Sequence, residues 1–296
     1  MKKVFSNKLA ILVFMVPTLL VYVVFAFFPV LLSGYYSLLD WNGIGQGAFV
    51  GFQNFFHLFA GNTDGFTKAV LNSFILAGMS VFIQLPLALL LALLLAYPGV
   101  RHEGFFRTVY FLPAVVSTVI IAELWKKVYN PDYGLLNSVL TVLGFGPVKG
   151  EWLSDPSTAL MCVFVPIVWQ YIGNHMIMLY AATKGVSDDI YEAAMIDGAN
   201  YPTICLRITI PMIKPMLNVC VTFAIIGSLK AFDLIYVMTQ GGPMHATEVP
   251  GTLMYQTIFT LNQYGYGSSM AIFIVVECMV FTYLVGRIMN GRKKAA

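Results

Sequence analysis

The stretch from Leu9 to Leu39 contains no Asp, Glu, Lys or Arg, and neither does the stretch from Pro156 to Thr183. A helix rises ~1.5 Å per residue and the hydrocarbon core of a bilayer is ~30 Å thick, so about 20 mostly apolar residues cross it. Six segments meet that length, at roughly 9–32, 72–96, 108–128, 158–182, 216–239 and 269–288. A helix satisfies its own backbone hydrogen bonds, which lipid requires of any spanning segment. The runs are unbroken rather than alternating, which excludes a transmembrane β-barrel. The expected fold is therefore an all-α membrane protein with six transmembrane helices, read as a single domain over residues 1–296. The third segment is the least clean, because Glu123, Lys126 and Lys127 crowd its end.

Composition agrees. The chain is 58% hydrophobic and 10% charged, against about 25% charged for a soluble domain. The remaining solvent for such a surface is membrane lipid. The net charge of +3 gives no nucleic-acid footprint. The Met-Lys-Lys start followed by an apolar run imitates a signal peptide. The run is longer than the roughly 7–15 residues of a signal core and no A-x-A site follows, so it reads as an uncleaved first span. Cys162, Cys205, Cys220 and Cys278 show no CxxC spacing and read as buried thiols.

Charge asymmetry orients the spans. With the N-terminus inside, the inner segments carry Lys2, Lys3, Lys8, Arg101, Arg107, Lys184, Arg207, Lys214, Arg287, Arg292, Lys293 and Lys294, and the outer ones only Lys68, Lys126, Lys127 and Lys149. The positive-inside rule then places both termini in the cytoplasm. The stretch from Gly241 to Ser268 holds no Lys or Arg, as suits an outer loop. Tyr35-Tyr36, Trp41, Phe55-Phe56 and Tyr264/Tyr266 suit membrane-interface positions.

Catalytic machinery is missing from the sequence. No Gly-Lys dipeptide occurs, so there is no G-x-x-x-x-G-K-[ST] phosphate loop, and neither H-E-x-x-H nor G-x-S-x-G is present. His57, His102, His175 and His245 are scattered and read as loop or packing residues. The chain is not expected to be an enzyme, to bind a metal or to hold a cofactor. Any energy for its work comes from an ion gradient or from a partner.

The segment Lys184–Pro215, KGVSDDIYEAAMIDGANYPTICLRITIPMIKP, differs from the rest. Ser187-Asp188-Asp189 is a helix start with acids near the positive helix end. Gly198 stops that helix or admits another backbone, and Pro211 and Pro215 break the chain again. The segment is either an ordinary amphipathic connector or a docking element for a cytoplasmic partner.

Glu192-Ala193-Ala194, three residues, Gly198, nine residues, Ile208, one residue and Ile210-Pro211 resemble the EAA loop of binding-protein-dependent ABC importer permeases. Ile210 stands where leucine is usual. Phe49-Val50-Gly51-Phe52-Gln53-Asn54-Phe55, Arg107 to Pro113, Lys230-Ala231-Phe232-Asp233, Thr239 to Pro243 and Tyr264-Gly265-Tyr266-Gly267 are similar to the carbohydrate-uptake permeases of the MalF/UgpA type. The chain lacks the large extra domain of the MalF branch.

The resemblance implies a MetI-like type I importer fold with a first span at 9–32, a five-helix core at about 69–288 and a coupling loop at 184–215. It implies a sugar or oligosaccharide substrate, a second permease subunit, two ATP-binding subunits and an extracellular or periplasmic solute-binding protein, in a bacterial cell (inner) membrane. ATP and Mg would be bound by the partner ATPase. The coupling residues implied are Tyr191, Glu192, Ala193, Ala194, Asp197, Gly198, Ala199 and Pro211.

Polar groups at mid-membrane are costly unless functional. The fourth span offers Trp169, Gln170, Tyr171 and Asn174, and the fifth offers Ser228, Lys230, Asp233 and Tyr236. Aromatic faces and neutral hydrogen-bonding groups suit a sugar. The resemblance adds Ala231, and puts Gln170, Tyr171, Asn174 and Ser228 at or near sugar-lining positions. Lys230 and Asp233, three residues apart, are expected to pair on one helix face, with Glu277 as the other candidate partner of Lys230. Apart from Arg287 at the inner end of the last one, no arginine lies inside a span, which disfavours a phosphorylated substrate. The alternatives are a permease for glycerol-3-phosphate or another polyol-type solute, and an ion-coupled secondary transporter. The latter would show inverted repeats and an intramembrane acid pair.

Overall fold

A computed structural model describes residues 8–60, 65–145 and 150–290. The described chain is mostly helical. Five helical stretches are long and apolar enough to cross a membrane: Leu12–Tyr36, Phe66–Ala96, Ala159–Lys184, Lys214–Thr239 and Tyr264–Met289. The segment expected as a third continuous span at 108–128 is instead two helices, Glu103–Val115 and Thr118–Val128, bent by 95° at the break between them. Pro113 sits in the last turn of the first and Ser117 is extended (φ −55°, ψ 131°). Proline has no N–H for the ladder. The ladder restarts only after Ser117, so the apolar pattern continues while the axis turns.

Two compact units are present. Among the described residues, one comprises 8–60 and 254–275 and the other 65–145, 150–253 and 276–290. In the first unit, the Leu12–Tyr36 span has no buried residue in its most apolar window, as expected of a helix whose surroundings are lipid. It carries a π turn at Val23–Phe27, just before Pro29. A two-residue ladder follows, pairing Leu39 with Phe49 and Asp40 with Ala48. The Asn54 side-chain amide, 8% exposed, donates to the carbonyls of Ser37 and Leu39, each at 2.9 Å. The Gly265 N–H donates to the Trp41 carbonyl at 3.0 Å. A Cβ at Gly265 would fall on the Leu39 carbonyl. The Trp41 ring lies 4.7 Å from that of Tyr36 and 5.7 Å from that of Tyr264. The aromatic residues read as interface anchors thus also pack on one another.

In the second unit the Ala159–Lys184 helix packs against Phe66–Ala96 on one side and Glu103–Val115 on another. Small residues permit the approach, as in membrane helix pairs generally. Ala88, Ala92 and Ala224 are buried beside Met176, Leu179 and Cys220. A second cluster forms around Ile121, Val163, Phe164, Leu234, Ile235 and Val249. Phe66–Ala96 contains a π turn at Ser80–Gln84, next to Pro86 in the following helical turn. Cys162, Cys205 and Cys220 are buried and Cys278 is half-buried, all as free thiols.

Two helices of this unit cross closely at Gly173. A Cβ there would fall on the Tyr110 carbonyl, a backbone atom with no side-chain freedom to yield. Gly173→Val therefore forces two spans apart and is expected to destabilise the protein by at least the ~1–3 kcal/mol of an overpacked core. Thermal unfolding in detergent reads this as a lowered transition. An unchanged transition would contradict the crossing.

Candidate functional site

The helix Lys214–Leu229 ends within the fifth span, and a new helix, Asp233–Thr239, starts three residues later. Lys230 has φ −100° and ψ 16°, and Phe232 has φ −150° and ψ −68°, so the chain leaves helical geometry between them. The break puts a helix C-terminus and a helix N-terminus beside one another. Irregular backbone at membrane depth is tolerated only where protein buries it or where it lines a cavity. Both conditions hold here. A Cβ at Gly251 would sit 2.8 Å from the Ala231 carbonyl, so Gly251 lets the Pro250–Phe259 helix cover one side of the break.

The other side opens into a cavity of about 440 Å³. Leu76, Ser80 and Gln84, four residues apart in turn, face it from Phe66–Ala96. Ile167, Tyr171, Asn174 and His175 face it from Ala159–Lys184, and Gly227 and Ser228 from Lys214–Leu229. Lys230, Ala231 and Asp233 form the wall at the break itself. The Ser80 and Ser228 hydroxyls are hydrogen-bonded at 3.0 Å, and Ser228 also donates to the Ala224 carbonyl at 2.9 Å. His175 is 7% exposed and its Nδ1 is buried without a hydrogen-bond partner among the described residues.

Six residues singled out from the sequence come together here: Tyr171, Asn174, Ser228, Lys230, Ala231 and Asp233. Three lie off the wall. Trp169 packs edge-on to Trp125, with ring centroids 6.1 Å apart. Gln170 is 2% exposed and donates to the Thr118 hydroxyl at 3.0 Å, holding the start of the helix after the 95° bend. Tyr236 stacks on Phe232 at 5.2 Å. Lys230 and Asp233 make no ion pair within 4 Å. The helix break removes the turn that would have brought residues three apart onto one face. Both Glu277 oxygens are buried without a hydrogen-bond partner among the described residues. Ser80, Gln84 and His175 were not among the sequence candidates. The signal for the first two was available, since polar side chains in the middle of an apolar span are conspicuous.

The 184–215 segment forms a helix at Asp188–Ile196 with Asp188 and Asp189 in its first turn. Ser187 occupies the N-cap position but makes no side-chain cap bond. Gly198 closes the helix with φ 79°, a left-handed conformation that favours glycine. The Ala199 N–H donates to the Ala194 carbonyl at 2.9 Å and the Gly198 N–H to the Met195 carbonyl at 3.0 Å, the paired bonds of a Schellman turn. Glu192, Ala193, Asp197 and Gly198 are exposed, Tyr191, Ala194 and Ala199 half-buried, and Pro211 exposed in a short helix at Ile210–Met212. No residue of Asp188–Ile196 is buried. Ile196, 85% exposed, and Met195, 54% exposed, leave an apolar edge in solvent.

The family described as "Binding-protein-dependent transport system inner membrane component" matches residues 53–294. Relatives include the "Probable ABC transporter permease protein YurN" of Bacillus subtilis, 34% identical over 94% of this chain and 95% of that protein. The "Diacetylchitobiose uptake system permease protein NgcF" of Streptomyces coelicolor is 32% identical over 98% of this chain and 86% of that one. The "Trehalose/maltose transport system permease protein MalF" of Thermococcus litoralis is 34% identical over 92% and 91%. Among solved structures, a chain of a bacterial alginate ABC transporter, in complex with an alginate pentasaccharide-bound periplasmic protein, matches the fold with a TM-score of 0.84. It is 24% identical and the match covers 99% of this chain and 98% of that one.

A polar cavity at a helix break should hold water. Asn174→Cys is expected to react with a small water-soluble thiol reagent in membranes, whereas Cys220, which is 0% exposed, stays unmodified. Equally slow modification of both would contradict an accessible cavity.

Proposed function

The chain belongs to the family of binding-protein-dependent transport system inner membrane components, and from that membership we propose that it is a permease subunit of an ATP-driven ABC importer for a sugar or oligosaccharide. The observation that carries the reading is the cavity at Lys230–Phe232. Its polar groups from Ser80, Gln84, Tyr171, Asn174 and Ser228 are neutral, and the single cation Lys230 is accompanied by Asp233. Neutral donors and acceptors beside an aromatic ring fit sugar hydroxyls and CH faces. A phosphorylated solute calls for the planar fork of arginine, and none lines this cavity. The printed names of the relatives support the same class, since they include diacetylchitobiose and trehalose/maltose systems.

In this reading Tyr171, Asn174, Ser228, Lys230, Ala231 and Asp233 line half of the pathway, and a second permease subunit completes it. Two ATP-binding subunits supply the energy and hold ATP and Mg. An external solute-binding protein delivers the sugar. With the bent pair Glu103–Val115 and Thr118–Val128 taken as one crossing, six spans put both termini and the 184–215 loop on the cytoplasmic face of a bacterial cell (inner) membrane, a reading that the distribution of Lys and Arg supports.

The Asp188–Ile196 helix enters the ATPase. Its apolar edge at Met195 and Ile196 and the exposed Glu192 support that role. Gly198 contributes through its backbone: a Cβ there would meet nothing within 4 Å of its own chain, so φ 79° is the constraint. A non-glycine residue in that region is disfavoured by about 1–2 kcal/mol.

The test uses the assembled importer in lipid vesicles, with maltose, trehalose, lactose and diacetylchitobiose as probes. The wild type is expected to accumulate one of these sugars in proportion to ATP hydrolysed. Gly198→Leu should assemble and hydrolyse ATP while uptake falls. Gly198→Asn, which tolerates the left-handed conformation, should retain more uptake than Leu. Normal coupled uptake by Gly198→Leu would refute the role of the loop.

A further inference from the structure

No residue of Asp188–Ile196 is buried, so specific bonds in and just after this helix add to the packing of Ile204, Cys205 and Ile213 in connecting the 184–215 segment to the spans. Tyr191 makes long ones: its hydroxyl donates to the Thr183 carbonyl at 3.4 Å and accepts from the Thr209 hydroxyl at 3.4 Å. Tyr201, which opens the next helix, Tyr201–Ile204, makes a short one, its hydroxyl donating to the Leu93 carbonyl.

Leu93 lies in the last turn of the Leu85–Ala96 helix. That helix stops because Tyr97 is extended (φ −62°, ψ 129°), and the Tyr97 N–H turns to Leu94 at 3.3 Å. The Leu93 carbonyl is thereby left as one of the four that every helix end leaves without a backbone donor. Tyr201 caps it. The Tyr201 ring stands edge-on to Tyr97, with centroids 4.7 Å apart and planes at 76°. Burial, and then Cys205 beside it, pushes the Tyr201 pKa well above the usual phenol value, so the hydroxyl keeps the proton it donates. The turn that presents Tyr201 is itself fixed, because Asn200 Oδ1 accepts from the Thr203 N–H at 3.1 Å and from the Thr203 hydroxyl at 2.6 Å.

The same stretch, Phe66–Ala96, carries Ser80 and Gln84 on the cavity wall, and Ser80 is bonded across to Ser228. Nine residues separate Gln84 from Leu93, a lever of about 14 Å at helical rise. We propose that Tyr201 is a positioning residue that transmits displacement of the 184–215 loop to the cavity wall through its hydroxyl bond to the Leu93 carbonyl. The inference rests on the importer reading above.

The test needs no knowledge of which sugar is carried. A reporter cysteine, Ala231→Cys, is placed on the cavity wall of the assembled importer in lipid vesicles. Its labelling rate by a small water-soluble maleimide is measured without nucleotide and with ATP plus vanadate, and the parent's native thiols give the background. In the otherwise wild-type protein ATP plus vanadate changes the rate. Tyr201→Phe should shrink that change about five-fold, the equivalent of one ordinary hydrogen bond, while ATP hydrolysis and complex yield persist. Tyr97→Leu removes the ring contact but leaves the hydroxyl bond, and should keep the full change. A full change in Tyr201→Phe, or equal losses in both variants, would overturn the inference, the second by showing that ring packing and not the hydroxyl bond transmits. If Tyr201→Phe does not assemble, Tyr201→His, which keeps a ring N–H donor, must assemble and respond to ATP, or the inference fails. No ATP response in the wild type would overturn the importer reading itself, an outcome distinct from a response lost only in the variant.

Discussion

In lipid an unpaired backbone group costs several kcal/mol, yet this chain interrupts a membrane helix at Lys230–Phe232. The interruption persists because protein surrounds it. Gly251 brings the Ala231 carbonyl against the next helix on one side, and the cavity with its polar wall meets the backbone on the other. The cavity, its charges and the separation of Lys230 from Asp233 all follow from this one departure from regular helix.

The break is held by neighbours that pack closely. Gly173 allows the Ala159–Lys184 helix to touch the backbone at Tyr110. Three residues earlier on the same helix, Gln170 fixes Thr118 beyond the 95° bend. Asn72 donates to the carbonyls of Ala246 and Glu248, at 3.1 and 2.8 Å, and so orders the loop that returns from the broken span. The 184–215 segment contrasts with this. Its first helix is unburied, and the residues that pack on the spans, such as Ile204, Cys205 and Ile213, lie in its second half. A rigid, closely crossed bundle with an unburied loop helix suits a part that is moved by a partner.

The five spans were legible in the sequence because lipid imposes length and apolarity together. The loop was equally legible, since Gly198 adopts the left-handed turn that only a helix stop of this kind demands. The broken helix was not, because Lys230-Ala231-Phe232 contains neither Gly nor Pro. Its partner Gly251 gains meaning only from the carbonyl it meets. The bend between Val115 and Thr118 lay under a continuous apolar pattern, with Pro113 as the one local sign. Ser80 and Gln84 stand out in the sequence as polar residues within an apolar span. Their spacing of four places both on one face, but which face borders a cavity is fixed by the helices opposite.

The central claim is that ATP hydrolysed by partner subunits, and no ion gradient, drives a neutral sugar through this bundle. The most direct measurement is uptake by vesicles holding the assembled importer and its solute-binding protein, with ionophores collapsing all ion gradients and ATP supplied to the ATPase side. The account predicts undiminished sugar uptake and no uptake of glycerol 3-phosphate. Uptake that stops with the ionophores and ignores ATP would contradict it.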